Sequence, residues 1–247
     1  MNNKTPLPTG LPQTCNDLIV AMLNNLVECL RANSNNFAGL PKVQQSTTPS
    51  WYMNMGSHSL FESGEKDGCE RLLYSKPKLF LINNLYSIHM YAKDRASATA
   101  AKEDLMTINQ DARLMEFFHV VEEELARETE LFITCILKAV VLSEDDIKFS
   151  KQFENDKVTK AKMLKSMFSA FNGGIAALMS QQVEWRIAYA GLRNDLDARI
   201  LNSVIGAYTE FHETNSKVNF SKKHMDQYVK YTPDDISNML RSYFQRK

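Results

Sequence analysis

The residues of this sequence best suited to chemistry are the cations of its C-terminal end. Residues 217–247 contain seven Lys or Arg against three Asp, a local net charge of +4 in a chain whose overall formal charge is zero. Tyr228 and Tyr231 lie close to Lys230 in sequence, where their rings are expected to pack beneath its side chain and fix the direction of its ammonium group. Clustered cations beside aromatic rings suit the binding of an anionic group. The candidate anion-binding residues are Lys222, Lys223, Lys230, Arg241 and Lys247.

Motifs for catalysis or metal binding are missing from the sequence. It contains no G-x-S-x-G, H-E-x-x-H or glycine-rich nucleotide pattern, and its five histidines are scattered without ligand spacing. The cysteines are also far apart and form no C-x-x-C pair, so we expect buried reduced thiols rather than a zinc site. They are Cys15, Cys29, Cys69 and Cys135. We therefore expect a protein that is not an enzyme and that uses neither cofactor nor metal.

The basic segment is followed by a helix with strong start signals. Thr232 can cap the helix, Pro233 suits its first position, and Asp234 and Asp235 place negative charge in its first turn. Apolar residues then fall at i, i+3, i+4, i+7 and i+8, which is one face of a helix. These residues are Ile236, Met239, Leu240, Tyr243 and Phe244.

Helical periodicity also dominates the rest of the chain, and almost no segment alternates with the period of two that strands show. Apolar repeats cover residues 15–30, 70–91, 98–142 with a break near 107–109, 155–188 and 192–211. Within 70–91, Pro77 is expected either to break the helix or to supply a first-turn residue of its second piece. We therefore predict an all-α fold of six or seven sizeable helices, packed as an elongated stack of antiparallel hairpins. No apolar run approaches the ~20 residues of a membrane-spanning helix, so we expect a soluble, intracellular protein.

One helical region is expected to occupy residues 14–247. The preceding residues 1–13 are rich in Pro and Gly and are expected to form a flexible lead-in. Residues 33–68 concentrate Asn, Ser, Thr, Gly and Pro, so they are predicted to form a long loop between two helices.

Two pairs of residues inside predicted helices indicate contacts with other parts of the chain. Asn83 and Asn84 are expected to bond a neighbouring loop or a chain terminus, with ligand binding as the alternative. Each residue of the pair Gly173 and Gly174 costs a helix about 1 kcal/mol relative to Ala. The pair therefore marks either a kink or a close helix crossing.

An acidic run lies in the middle of the chain. Residues 111–155 contain eleven acids and five bases, a net charge of −6. We interpret the run as a solvated helix face, with a docking surface for a basic partner as the alternative. Its central acids are Glu122, Glu123, Glu124, Glu128 and Glu130.

Several motifs together resemble the C-terminal region of the exocyst's seventy-kilodalton subunit family. A helix ends in AYTEF at residues 207–211, FSK follows at 220–222, YVKY at 228–231, and a last amphipathic helix reaches Phe244. Residues 79–88, LFLINNLYSI, and 167–178, MFSAFNGGIAAL, resemble two further helices of that family in the same order. The resemblance covers roughly residues 11–246.

This resemblance implies a rod of helical bundles in a vesicle-tethering subunit that acts in exocytosis. It implies a cytoplasmic protein, peripheral at the plasma membrane, whose partners are other exocyst subunits, a small Rho-type GTPase and anionic inner-leaflet lipid. In the family, two lysines flanking the tyrosine of the Y-[VI]-K-Y element bind phosphoinositide; here the second is Lys230 and the first position is Gln227. Lys222 and Lys223 are expected to compensate, with Arg241 and Lys247 contributing at the rim.

Two other functions remain open from the residues alone. A helical protein-interaction module would bind another subunit or a small GTPase through the acidic 111–155 face or the helix seams, without touching lipid. Nucleic-acid binding is disfavoured, because the isoelectric point is near 7.0 and no RNA-binding signature is present.

Overall fold

The computed structural model of the chain describes residues 15–37, 72, 75–100, 112–153, 155–181, 186–221 and 223–245. All regular structure in these ranges is helical, which confirms the all-α prediction. In chain order the helices are α1 Cys15–Phe37, α2 Ser75–Ala100, α3 Ala112–Ala139, α4 Glu144–Lys151, α5 Lys157–Gln181, α6 Ala190–Asn215, α7 Met225–Tyr228 and α8 Pro233–Gln245.

Several helix boundaries differ from the predicted ones. Helix α1 continues to Phe37 instead of ending at Leu30, so the predicted loop cannot begin at residue 33. Pro77 lies in the first turn of α2, where its missing N–H has no partner to lose, which is one of the two predicted possibilities. Residues 98–100 belong to α2 and α3 begins only at Ala112. The lead-in 1–13 and residues 38–68 of the predicted loop lie outside the described residues.

Helices α1, α2 and α3 pack around a small apolar cluster. Val27 of α1 packs there with Leu81 and Leu85 of α2 and with Phe117 and Val121 of α3. At the far end of the α1–α2 pair, the Ser34 hydroxyl donates a hydrogen bond to the Pro77 carbonyl over 2.8 Å. Since the late residue of α1 meets the early residue of α2, the two helices run antiparallel, as predicted.

A chain of partly buried ion pairs ties the same three helices together. Glu124 and Glu128 of α3 are only 7% and 6% exposed. Arg31 of α1 donates from Nε to Glu124 Oε1 over 3.0 Å, Lys78 of α2 lies 3.4 Å from Glu128 Oε2, and Arg127 bonds both carboxylates. The interpretation of the acidic run as solvated is therefore wrong for these two residues, because their spacing turns them towards α1 and α2.

The larger core joins α2, the second half of α3, α5, α6 and α8. Its fully buried side chains include aromatic rings from α3, α5 and α6 as well as Ile236 and Leu240 from α8. Asn83 of α2 fastens the segment before α6 to this body: its Nδ2 donates to the Arg186 carbonyl over 3.1 Å, and its Oδ1 accepts from the Ala188 N–H over 3.2 Å. The structural interpretation of Asn83 is thus confirmed, whereas Asn84 bonds the Phe80 carbonyl of its own helix.

The turn that ends α3 is pressed against α5. Val141 has a left-handed φ of 60°, and the bonds Leu142 N–H to Leu137 carbonyl (2.9 Å) and Val141 N–H to Lys138 carbonyl (3.2 Å) form a Schellman motif. A Cβ on Gly174 of α5 would clash with the Ala139 carbonyl oxygen and lie 2.9 Å from the Val140 Cα. The glycine pair therefore marks a close crossing, one of the two predicted possibilities.

The cysteine prediction was partly wrong. Cys29 of α1 is exposed and Cys135 of α3 is half-buried, and both are free thiols. Burial raises the pKa of the Cys135 thiol above its ordinary value. Cys15 and Cys69 cannot be compared, because the described side chains do not include them.

Gly174→Ala is expected to lower the free energy of unfolding by about 1–3 kcal/mol, since the atoms it meets are backbone and cannot swing aside. Gly206→Ala in α6 is the matched control, because nothing lies within 4 Å of a Cβ built there. That variant should raise stability by up to ~1 kcal/mol through helix propensity. Urea unfolding followed by circular dichroism measures both, and equal stabilisation of the two variants would contradict the close crossing.

Candidate functional site

Stacked aromatic rings join α5 to α6 beneath the C-terminal segment. The rings of Phe171 and Tyr208 stack at 4.1 Å between centroids with an interplanar angle of 5°. One turn away, Phe168 contacts Phe211 at 4.7 Å and stacks on Phe220 at 5.5 Å. Such pairs add about 0.5–1.5 kcal/mol each beyond the burial of apolar area. The rings therefore form a firm base for the chain that crosses them after α6.

Two side chains from this base hold the backbone of the YVKY segment. Asn172 Nδ2 of α5 donates to the Tyr228 carbonyl over 3.0 Å, and the Tyr208 hydroxyl of α6 donates to the Tyr231 carbonyl over 2.6 Å. Burial, with smaller contributions from Asp235 and Tyr231, raises the pKa of Tyr208 far above its ordinary value. Its hydroxyl therefore keeps its proton and remains a donor throughout the physiological pH range.

The cations predicted for the site are spread over separate positions. Lys223 is exposed before α7, Lys230 is exposed between α7 and α8, and Arg241 is exposed on α8, where its Nε donates to Ser237 Oγ over 3.2 Å. Arg241 lies eight residues after the first residue of α8, about 12 Å along the helix. It therefore stands apart from Lys230. Lys222 and Lys247 lie outside the described residues.

The two tyrosines do not share one lysine as predicted. Lys230 Nζ lies 4.9 Å from the centroid of the Tyr231 ring, which confirms half of the expectation. The Tyr228 ring instead has Lys165 Nζ of α5 5.8 Å from its centroid and the edge of Phe220 at 6.1 Å. Sequence reasoning missed Lys165, although it falls seven residues before Asn172 and hence on the same side of α5.

The start of α8 is fixed by a capping box. The Asp235 N–H donates to Thr232 Oγ1 over 3.1 Å, and the Thr232 N–H donates to Asp235 Oδ2 over 2.9 Å. The hydrogen bonds that the Thr232 N–H and the Thr232 hydroxyl donate to Asp235 Oδ2 lower the pKa of that carboxyl below its ordinary value. The predicted helix start is thus confirmed, with Pro233 as its first residue and Asp235 closing the box. The cap holds α8 directly after the Tyr231 carbonyl that Tyr208 binds.

The described part of the chain offers little basis for other chemistry. It contains no group of three or more His, Cys, Asp and Glu side chains arranged to hold a metal ion. No helix among the described residues is both long and apolar enough to cross a membrane.

Tyr208→Phe should leave the ring stack in place and remove the hydrogen bond to Tyr231. The unfolding free energy should fall by about 0.5–1.5 kcal/mol, because a partly buried carbonyl loses its donor. Amide hydrogen exchange should also quicken in residues 228–235 more than in α5. Tyr189→Phe is the control, since its ring is 38% exposed. Unchanged hydrogen exchange in residues 228–235 of Tyr208→Phe would show that the hydroxyl does not hold the YVKY segment.

The capping box should make the stability of the C-terminal segment, residues 223–245 (the tail), pH-dependent. Because the folded pKa of Asp235 lies below its unfolded value, its contribution is complete above about pH 4 and is lost as pH falls through the lowered folded pKa. The unfolding free energies of the wild type and Asp235→Asn should therefore differ at pH 6 and converge near pH 2. Urea titrations at several pH values measure this difference, and a gap that persists at low pH would exclude the carboxylate as its source.

Comparison with known proteins agrees with the resemblance seen in the sequence. The family model for the C-terminal part of the Exo70 subunit of the exocyst complex matches residues 15–242. Among curated proteins of Arabidopsis thaliana, the chain is 24% identical to exocyst complex component EXO70A3 over 69% of its own length and 27% of that relative's. It is 32% identical to exocyst complex component EXO70C1 over 36% of its own length and 14% of that relative's.

No solved structure matches the chain significantly. The matched part of the first relative is only about a quarter of that protein. The family match, by contrast, extends from the first residue of α1 into α8 and so includes the aromatic base and the YVKY segment. The chain therefore belongs to the Exo70 C-terminal family of the exocyst complex.

Proposed function

We propose that the protein is an exocyst-type vesicle-tethering subunit that helps dock secretory vesicles at the plasma membrane, with a basic C-terminal end that binds phosphoinositides. Family membership supports the tethering role. The lipid role is supported by the position of Lys230. Its ammonium group lies over the Tyr231 ring, and the Tyr208 hydroxyl binds the carbonyl of that tyrosine. This cation is directed outward from a fixed backbone.

The electrostatics of the segment suit an anionic membrane surface. A lysine or arginine near such a surface contributes about 1 kcal/mol of attraction. Lys223 and Lys230 are both exposed, so a headgroup can reach their ammonium groups without a change in the fold. The fixed loop backbone also reduces the conformational entropy that binding would otherwise cost. Lys222, Arg241 and Lys247 complete the proposed phosphoinositide-binding set.

The proposed partners and location follow from the proposed tethering role. Other exocyst subunits and a small Rho-type GTPase are the proposed protein partners, and phosphatidylinositol bisphosphate in the inner leaflet is the proposed lipid. Nucleic acid is not a proposed partner, and no catalytic role is proposed. The protein would be cytoplasmic and peripheral at the plasma membrane.

A protein-interaction module that does not touch lipid is the second candidate. It is favoured by the outer face of α1, where Leu18, Met22 and Leu26 fall at i, i+4 and i+8 and are 48%, 63% and 45% exposed. Glu122 and Glu123 of α3 are also exposed. An apolar helix face or an acidic surface of this kind suits another helical subunit or a basic partner.

Liposome co-sedimentation at ~0.15 M salt tests the lipid role. The combined variant Lys222→Ala, Lys223→Ala and Lys230→Ala should weaken binding to vesicles containing phosphatidylinositol bisphosphate on the order of 100-fold, because about 1 kcal/mol is lost per lysine. The wild type should also bind vesicles containing phosphatidylinositol bisphosphate more tightly than vesicles of the same charge that contain phosphatidylserine instead.

The control is a variant of equal charge change at exposed lysines of α2 and α4, Lys76→Ala, Lys93→Ala and Lys148→Ala, which should bind nearly as well as the wild type. If the wild type ignores every vesicle but retains a protein partner in pulldown, the interaction-module function is correct instead.

A further inference from the structure

Lys165 places a cation from α5 beside the tail, although it lies more than fifty residues earlier in the chain. Its Nζ is 5.8 Å from the centroid of the Tyr228 ring, within the range of a cation–π interaction. Lys230 makes the equivalent contact with Tyr231 at 4.9 Å. The two tyrosines are three residues apart, so each ring of this short segment has its own cation, one from α5 and one from the loop itself.

The Tyr228 ring is well fixed where it meets Lys165. The ring forms a T-shaped pair with Phe220, and the Tyr228 carbonyl accepts the Asn172 hydrogen bond from the same helix that carries Lys165. Phe220 is itself buried and stacked on Phe168. The position of the ammonium group relative to the YVKY segment is therefore set by α5 and not by the loop.

The loop itself has no cation directly before Tyr228 to match Lys230. Gln227 is exposed and uncharged, and Asp226 before it is acidic. Lys165 is partly exposed, and Lys162, three residues earlier on α5, is exposed. The positive charge beside the Tyr228 ring thus comes from α5.

We propose that Lys165 is a direct headgroup-binding residue of the phosphoinositide surface, supplying from α5 the cation that position 227 of the loop lacks. This inference rests on the proposed lipid-binding function and extends the binding surface from the tail onto α5. The occupant is the phosphorylated inositol headgroup of a membrane lipid, contacted on either side of Tyr228 by Lys165 and Lys230.

A purely structural role for Lys165 would require only its packing on the Tyr228 ring. Lys165→Met separates the two roles, because methionine keeps an unbranched apolar side chain on the ring but removes the charge. Lys165→Arg keeps the charge and can still lie over the ring. Lys93→Met on α2 is the matched control, since that lysine is exposed and lies beyond the small cluster of α1, α2 and α3.

Co-sedimentation with vesicles containing phosphatidylinositol bisphosphate should show about fivefold weaker binding for Lys165→Met, the loss expected for one lysine. Lys165→Arg and Lys93→Met should bind like the wild type. Adding Gln227→Lys to Lys165→Met should restore the lost binding, because an exposed position next to Tyr228 then carries the charge. Thermal unfolding of each variant checks that the fold is intact.

Vesicle binding that is unchanged in Lys165→Met would overturn this inference while leaving the lipid function in place. A loss of binding in Lys165→Met that Gln227→Lys fails to restore, together with a lowered melting temperature, would assign Lys165 a structural role and also overturn it. A wild type that binds no vesicle removes the proposed lipid function and this inference with it.

Discussion

The hydrogen bond from the buried Tyr208 hydroxyl to the Tyr231 carbonyl is the constraint on which the C-terminal end depends. A hydroxyl in the core needs an acceptor, and a carbonyl in irregular backbone needs a donor; without each other, both groups would be unpaired away from water. The bond satisfies both groups. It also aligns the loop so that Lys230 lies over its neighbouring ring and Thr232 caps α8.

The Tyr208 ring is itself stacked on Phe171 of α5, and the α3–α5 crossing helps to determine where α5 lies. Gly174 brings α5 against backbone atoms of the turn at Ala139 and Val140. The turn is itself constrained, because Val141 adopts a left-handed conformation that costs a β-branched residue about 1–2 kcal/mol. Burial of its side chain, which is only 1% exposed, offsets that cost. The position of the tail thus depends on packing contacts made far from it in sequence.

Local features of the fold could be predicted from the sequence, whereas features that depend on a distant partner could not. The cap at Thr232 and Asp235 and the buried face of Ile236 and Leu240 follow from residues within one or two helical turns. The all-α class follows in the same way from periodicity. Of the site, the segment around Lys230 and Tyr231 was predictable because both residues are adjacent.

The missed features each involve two parts of the chain. Lys165 meets Tyr228 only because α7 packs on α5, and Glu124 was predicted to be solvated because its partner Arg31 lies 93 residues away in sequence.

The exposed lysines of the tail and the ion pairs among α1, α2 and α3 differ in their response to ionic strength. Salt screens exposed charges strongly and partly buried pairs much less. Raising the salt concentration should therefore weaken the attraction of the exposed tail lysines for anions, while the ion pairs among α1, α2 and α3 continue to hold the bundle together.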